Sequence, residues 1–118
     1  MGLDFSHTNA HWSYSGFMRF RVRLTAEIGI DLKKMIGFNK ENDFKSLSWE
    51  KVTDPIKYLL DHSDCDGDLS PELCSKIAPR LRELVSSWDD DDYDKEQALL
   101  LAEGMDLAFI NNERLQFE

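Results

Sequence analysis

Apolar side chains recur at steps of three and four residues over the second half of the chain, which is the spacing of amphipathic helices. Ser70 followed by proline and Glu72 is a strong helix start. The stripe that follows consists of Leu73, Ile77, Leu81, Leu84, Val85 and Trp88. A last helix is predicted after the run Asp89–Asp92, to end at Asn111-Asn112. Its apolar face holds Ala98, Leu101, Ala102, Met105, Ala108 and Phe109, widened by Leu100 and Leu107.

The pattern over residues 14–28 fits two structures. Alternation with arginine indicates a strand over residues 18–24, through Met18, Phe20, Val22 and Leu24. The longer stripe of Phe17, Phe20, Leu24 and Ile28 has helical spacing, and Gly29 follows it. The longer window favours a helix over 14–28, and the strand stays open as the alternative.

Shorter elements complete a mainly α prediction. Asp31 can cap a helix over 32–36 that stops at Gly37, and Asp54 with Pro55 can start another that ends near Asp61. Between them, residues 38–51 are predicted to form an ordered loop with a packed Trp49.

The two termini carry short alternating patterns typical of strands. Residues 3–5 alternate, a polar loop is predicted through Asn9, and residues 115–117 alternate again. We therefore expect a single domain over 1–118 with about four to five helices and a short β pair that joins the N- and C-termini.

Composition and charge narrow the function classes. Residues 1–60 carry nine Lys/Arg against seven Asp/Glu (+2), and residues 61–118 carry five against sixteen (−11), which sums to the net charge of −9. An acidic half disfavours direct nucleic-acid binding and favours a basic protein partner. The candidate partner-binding residues are Asp89, Asp90, Asp91, Asp92 and Asp94. The same acids could instead stabilise the start of the last helix. A charge that only keeps the protein soluble is the favoured alternative.

The N-terminal half contributes a candidate anion-binding patch of Arg19, Arg21, Arg23, Lys33 and Lys34. Pairing with the acidic half is the favoured interpretation. The chain has no apolar run of the ~20 residues that a membrane span needs, and no secretory signal pattern. Its two cysteines cannot form a disulfide framework. The expectation is a reduced, cytoplasmic protein that does not bind membranes.

One segment, 62–73, resembles the calcium loop of EF-hand proteins. Asp64 and Asp66 occupy the third and fifth positions, Gly67 the sixth and Ser70 the ninth. The loop departs from the pattern at its first position, a histidine, and at its twelfth, a leucine where the bidentate glutamate belongs. The candidate calcium ligands are Asp64, Asp66, Asp68, Ser70 and Glu72. A turn followed by a helix cap is the favoured alternative.

Zinc is a less favoured metal, which His62, Cys65 and Cys74 could hold with His7 or His11 as a fourth ligand. Catalysis has little support, because the chain lacks a Gly-rich phosphate loop, a G-x-S-x-G elbow and an H-E-x-x-H motif. A hydrolase that uses the histidines with nearby carboxylates is the third hypothesis, after the interaction protein and the calcium domain.

Three segments resemble a group of short bacterial and phage proteins of unknown function: MGLDFSH at 1–7, HSDCDG at 62–67 and DDYDK at 91–95. The resemblance implies a cytoplasmic protein of bacterial or mobile-element origin and brings no activity with it.

Overall fold

Four helices and two short strand pairs make up the part of the chain that the structure describes. The computed structural model describes residues 2–35, 38, 47–63 and 66–118. In chain order, the elements are β1 (Leu3–Phe5), β2 (Thr8–Trp12), α1 (Tyr14–Glu27), α2 (Lys57–Leu60), β3 (Asp68–Leu69), α3 (Pro71–Val85), α4 (Tyr93–Ile110) and β4 (Leu115–Gln116), with 3-10 turns at Leu32–Lys34 and Trp49–Lys51.

Helices α3 and α4 form the centre of the fold. They pack closely against each other, and the β1–β2 hairpin lies across α4. Gly104 of α4 permits this close approach, since a Cβ there would lie only 2.8 Å from the Cβ of Thr8. The fold is therefore a small, mainly helical domain with a hairpin on one side.

Local side-chain caps start the three long helices where the sequence predicts them. The Ser13 hydroxyl accepts from the Gly16 N–H (3.0 Å) and begins α1. The Ser70 hydroxyl accepts from the Leu73 N–H (3.2 Å) and begins α3. Such a cap satisfies one of the backbone donors that a helix start leaves free.

Residues 14–27 are helical, so the helix prediction is confirmed and the strand alternative is wrong. The stripe of Phe17, Phe20 and Leu24 is fully buried, which a strand of this sequence could not achieve on one face. Gly29 follows with a φ of +76°, a conformation that favours glycine.

Aromatic rings fill the space between the hairpin, α1 and the C-terminal strand. Trp12 stacks on Phe20 with ring centroids 4.6 Å apart. Phe5 meets Trp12 and Phe117 edge to face, at 6.1 and 5.0 Å. These contacts bring both ends of the chain into one core.

The predicted pairing of the two termini is only partly correct. β1 pairs with β2, which covers residues predicted to be a polar loop, and β4 pairs with β3. A single antiparallel bridge between Phe5 and Phe117 joins the terminal strands. β1 pairs with β2 because only two residues separate them, so closing the loop costs little entropy. β4 lies more than a hundred residues from β1 along the chain, and that closure costs more.

Two of the shorter elements differ from the predictions in their boundaries. The element after Asp31 is a 3-10 turn over Leu32–Lys34, and the predicted stop at Gly37 lies outside the described residues. Helix α2 is a single turn that begins at Lys57, after Ile56, without a side-chain cap. The predicted start at Asp54 and Pro55 is therefore two residues too early, and Asp54 instead accepts from the Ile56 N–H in the turn before the helix. Trp49 is buried, as predicted.

Candidate functional site

The segment 62–72 places its candidate calcium ligands in separate structural roles. Asp68 accepts from Arg114 at 2.8 Å, which fastens β3 to the residue just before β4. Ser70 caps α3, and Glu72 lies 3.7 Å from Lys76 on the exposed side of that helix. Asp66 is exposed, and Asp64 lies outside the described residues. The described ligands therefore serve the fold at three different points.

Within the described ranges, no group of three or more His, Cys, Asp or Glu side chains is arranged to hold a metal ion. Of the zinc candidates, Cys74 is buried in the core as a free thiol, as expected for a small apolar residue. Burial raises the pKa of its thiol to about 11, which disfavours the thiolate that zinc requires. Cys65 lies outside the described residues.

His62 is held by its surroundings on three sides. Its Nδ1 lies 2.9 Å from the Ser63 carbonyl and its Nε2 lies 2.9 Å from the Asp68 carbonyl. The ring stacks on Phe117, with centroids 3.9 Å apart. His62 thus links the segment before α3 to the C-terminal strand.

A cavity of about 280 Å³ gathers His62 with Asp61 and Glu50, which is the combination that the hydrolase hypothesis needs. Burial raises the pKa of Asp61, and the charge of Arg21 opposes that shift. However, both ring nitrogens of His62 lie 2.9 Å from backbone carbonyl oxygens, so neither points at a substrate in the cavity. The hydrolase stays an unsupported prediction at this cavity.

The other two histidines fasten the hairpin. The Ser6 hydroxyl lies 2.6 Å from Nδ1 of His7, whose Nε2 lies 3.2 Å from Glu113. The same hydroxyl accepts from the Gln116 N–H at 2.9 Å. His11 contacts Asp4 across the hairpin. These bonds tie the hairpin together and its turn to the C-terminal segment, which is a structural role for both rings.

The aspartates of segment 89–94 divide into a partly buried pair and an exposed remainder. Asp92 and Asp94 turn inward toward Arg23 of α1. Arg23 donates to both oxygens of Asp92, at 3.0 and 2.7 Å, and to Asp94 at 2.8 Å. Its guanidinium lies 3.8 Å from the ring centre of Trp88. The predicted pairing of an arginine with the acidic half is confirmed at Arg23.

This arrangement, the Arg23 cluster, also starts the last helix. Asp92 caps α4 by accepting from the backbone N–H groups of Asp94 and Lys95, and Trp12 donates to Asp94 at 3.0 Å. The hydrogen bond from Arg23 lowers the pKa of Asp92, although burial opposes the shift. Both acids are therefore fully used by the fold and are poorly placed to meet a partner.

The remaining three acids of the run face water. Asp90 pairs with Lys95 at 2.8 Å and is otherwise fully exposed. Asp89 and Asp91 are exposed, and no described cation lies within ion-pair distance of either. Of the five predicted partner-binding residues, these two thus keep a free carboxylate.

Helix α4 has an exposed apolar surface that the sequence pattern did not predict. The solvent face of α4 exposes Leu99, Leu107 and Ile110, and Phe109 is exposed beside them. The predictions that Phe109 lies on the buried face and that Leu107 widens it are therefore wrong. Phe109 lies in the last turn of α4, where its ring extends beyond the packed part of the helix into water.

The reason for the omission is that α4 is apolar on most of its circumference. The buried residues confirm the side that helical spacing predicts: Ala98, Leu101, Ala102, Met105 and Ala108. Because Leu99, Leu100 and Leu101 follow one another, the spacing does not identify where that side ends. The sequence does contain one signal for this exposed surface: α4 has more large apolar residues than one face of a helix can bury.

Comparison with known proteins gives no relative: no family model, no curated protein and no solved structure matches the chain. The resemblance to short bacterial and phage proteins therefore stays a prediction. None of the described helices is both long and apolar enough to cross a bilayer.

Proposed function

We propose that this protein is a non-catalytic interaction domain that binds a basic, amphipathic helix of a partner protein along the exposed face of α4. The observation that carries the proposal is an exposed stripe on this helix that combines three apolar and two acidic side chains. We call it the α4 stripe, and it consists of Glu96, Leu99, Glu103, Leu107 and Ile110.

The geometry of the α4 stripe suits an elongated partner. Its members follow at steps of three and four, so they line one side of the helix over roughly 21 Å. The exposed fractions of Leu99, Leu107 and Ile110 are 38%, 45% and 75%. A row of exposed apolar side chains on one helix face is typical of a surface that another helix covers.

Charge selects the kind of partner. Glu96 and Glu103 are exposed, and no described lysine or arginine lies within ion-pair distance of either. Asp89 and Asp91 add two exposed carboxylates just before the N-terminus of the same helix. Lysine or arginine side chains that flank an apolar strip would neutralise these acids, while a nucleic-acid backbone would be repelled.

A second copy of this chain fits the α4 stripe less well than a basic helix does. A two-fold axis at the middle of the stripe would place Glu103 against Glu103 of the other copy. Each copy also carries a net charge of −9, which opposes self-association. We therefore propose that the partner is a different protein with a basic surface. We propose that the interaction takes place in the bacterial cytoplasm, where the free thiol of Cys74 stays reduced.

The test uses a synthetic helical peptide of about 18 residues, long enough to follow α4, with leucine on one face and lysine on the flanks. Binding is measured by fluorescence anisotropy, and the contacted residues are identified from ¹H–¹⁵N NMR shifts. We expect saturable binding that weakens with added salt, with shifts centred on the α4 stripe. Leu107→Gln and Glu103→Gln should each weaken binding at least about fivefold, because each removes an anchor at the centre of the surface.

Matched controls are present elsewhere on the chain. Leu47 is exposed to a similar extent as Leu107, and Glu72 is an exposed acid on α3. Leu47→Gln and Glu72→Gln should leave peptide binding unchanged. Equal losses in control and test variants, or equal binding of a peptide with glutamate in place of lysine, would contradict the proposal. A protein that sediments as a dimer and monomerises on Leu107→Gln would assign the surface to a second copy instead.

A further inference from the structure

A cavity of about 430 Å³ lies on different elements from the α4 stripe, between the segment 29–35, which follows α1, and the segment 47–52. Its apolar lining consists of Ile30, Met35, Leu47 and Val52. Met35 is buried beneath it and Leu47 is half exposed at its edge. This volume lies within the range of about 300–1,000 Å³ that is typical of small-molecule sites.

Two lysines give this cavity a charge opposite to that of the whole protein. Lys34 and Lys51 both line it and both are exposed. Among the described carboxylates, none lies within ion-pair distance of either ammonium group. The carboxylate that does line the cavity, Asp31, accepts from the Lys33 N–H at 3.1 Å as the cap of the 3-10 turn. Two ammonium groups against one carboxylate leave the lining with a net positive charge.

A second cavity of about 350 Å³ continues the first. The two share Ile30, Lys51 and Val52, and the second adds Ile28 as a further apolar wall. Its own cation, Arg80, is neutralised by Asp54, which accepts from the guanidinium at 2.8 and 2.7 Å. Lys51 is thus the free cation at the junction of two depressions, among the residues that the structure describes.

We infer that these joined cavities bind a small amphiphilic anion, an unbranched aliphatic carboxylate, with its chain on the apolar lining and its head group between Lys34 and Lys51. A lysine ammonium is a compact point charge that meets a carboxylate oxygen without a fixed geometry, which suits an exposed rim. The chain of such a ligand covers apolar surface that is otherwise wet, and the two lysines select the anionic head. The site is separate from the α4 stripe, and neither proposal depends on the other.

The test compares three free ligands by ¹H–¹⁵N NMR titration of the full chain: decanoate, decanol and acetate. Decanoate should give saturable shifts at Ile30, Leu47 and Val52, while acetate should give none because it lacks the chain. The double variant Lys34→Gln/Lys51→Gln should weaken decanoate at least tenfold and decanol less than threefold. Lys76→Gln, which removes an exposed lysine of α3, is the charge-matched control and should change neither.

A second variant tests the apolar half of the site. Leu47→Gln should weaken decanoate and decanol alike, whereas Leu107→Gln on α4 should leave both unchanged. The inference is overturned if decanoate gives no saturable shifts, or if the double lysine variant and Lys76→Gln lose equal affinity. Flotation with vesicles of phosphatidylcholine and phosphatidylglycerol separates the two sources of an anionic aliphatic ligand. Binding to vesicles without saturable binding of free decanoate would overturn the small-molecule site in favour of a membrane surface.

Discussion

Replacing Arg23 with methionine tests whether the contact between α1 and the start of α4 is a main support of the fold. Methionine keeps an unbranched stem that can still pack on Trp88, but it removes three hydrogen bonds to carboxylates. Asp92 and Asp94 would keep their positions at the helix start and lose their cation. The change therefore isolates charge and hydrogen bonding from packing.

The expected loss follows from how deeply the cluster is buried. The side chain of Arg23 is 39% exposed, while those of Asp92 and Asp94 are only 23% and 18% exposed. Breaking a fully buried ion pair costs about 3–5 kcal/mol, and an exposed pair contributes about 0–1 kcal/mol. A half-buried, bidentate pair with a third bond lies between these limits, so we expect Arg23→Met to lower the free energy of unfolding by about 2–3 kcal/mol. For a domain of this length, that is a fall in Tm of roughly 8–12 °C.

The free energy of unfolding lost in Arg23→Met should also depend on pH, and the direction of this dependence follows from the pKa of Asp92. The hydrogen bond from Arg23 lowers the pKa of Asp92 in the folded state. A carboxyl with a lowered pKa stabilises the fold above its unfolded pKa of about 4, and this stabilisation is lost as the pH falls through the folded pKa. The difference between wild type and Arg23→Met should therefore be full at neutral pH and shrink below about pH 4.

Urea unfolding followed by circular dichroism gives the free energy of unfolding of wild type and variant, once at neutral pH and once below about pH 4. The matched control is Arg82→Met, since Arg82 pairs with Asp106 in a bridge whose side chains are 38% and 44% exposed. That variant should lose at most about 1 kcal/mol. A loss below about 0.5 kcal/mol for Arg23→Met, or a loss equal to that of Arg82→Met, would refute the reasoning.

Four further measurements test other parts of the structure. Gly104→Ala should lower the free energy of unfolding in urea by about 1–2 kcal/mol, because the added Cβ would lie 2.8 Å from Thr8 and this strain exceeds the gain in helix propensity. Unchanged stability would show that the hairpin can shift away from α4 at little cost. In a Cys65→Ser background, Cys74 should react with Ellman's reagent at about pH 8 only as fast as the protein unfolds, since burial raises the pKa of its thiol to about 11; rapid labelling of the native protein would contradict its burial. Ser70→Ala should cost about 1 kcal/mol through the lost cap of α3, and a neutral result would assign the helix start to other contacts. Calcium should leave the Tm unchanged, because two of the loop's candidate ligands already form an ion pair and that cap; a rise with calcium and none with magnesium would restore the metal hypothesis.

The helices could be predicted because their signals are local. Ser70 with the following proline starts α3, and Ile77 and Leu81 of the predicted stripe are buried. Trp88, the last residue of that stripe, lies beyond the end of α3 and is only partly buried. For α1, the choice lay between a helix over 14–28 and a strand over 18–24. The apolar residues at helical spacing extend over more positions than the seven that alternate with arginine, and the segment is helical. Each signal acts over a few residues, within reach of a single helical turn.

Strand pairing and the fate of the acidic segment could not be predicted in this way. β3 lies beside β4, although they are more than forty residues apart, and Arg23 meets Asp92 across 69 positions. Nothing in a run of aspartates distinguishes Asp92, which turns inward, from Asp91, which stays in water. That distinction arises only when α1 brings a guanidinium to the start of α4.

The sequence by itself therefore determined the mainly helical class, the positions of the long helices and the acidic character of the second half. Only the tertiary structure decided where the covered side of α4 ends. α3 and the hairpin bury Leu101 and Met105 and leave Leu99 and Leu107 in water, although all four lie in one strongly apolar helix. The physical reason is that helical periodicity is a property of a single helix, whereas burial depends on the neighbours that the rest of the chain brings to it.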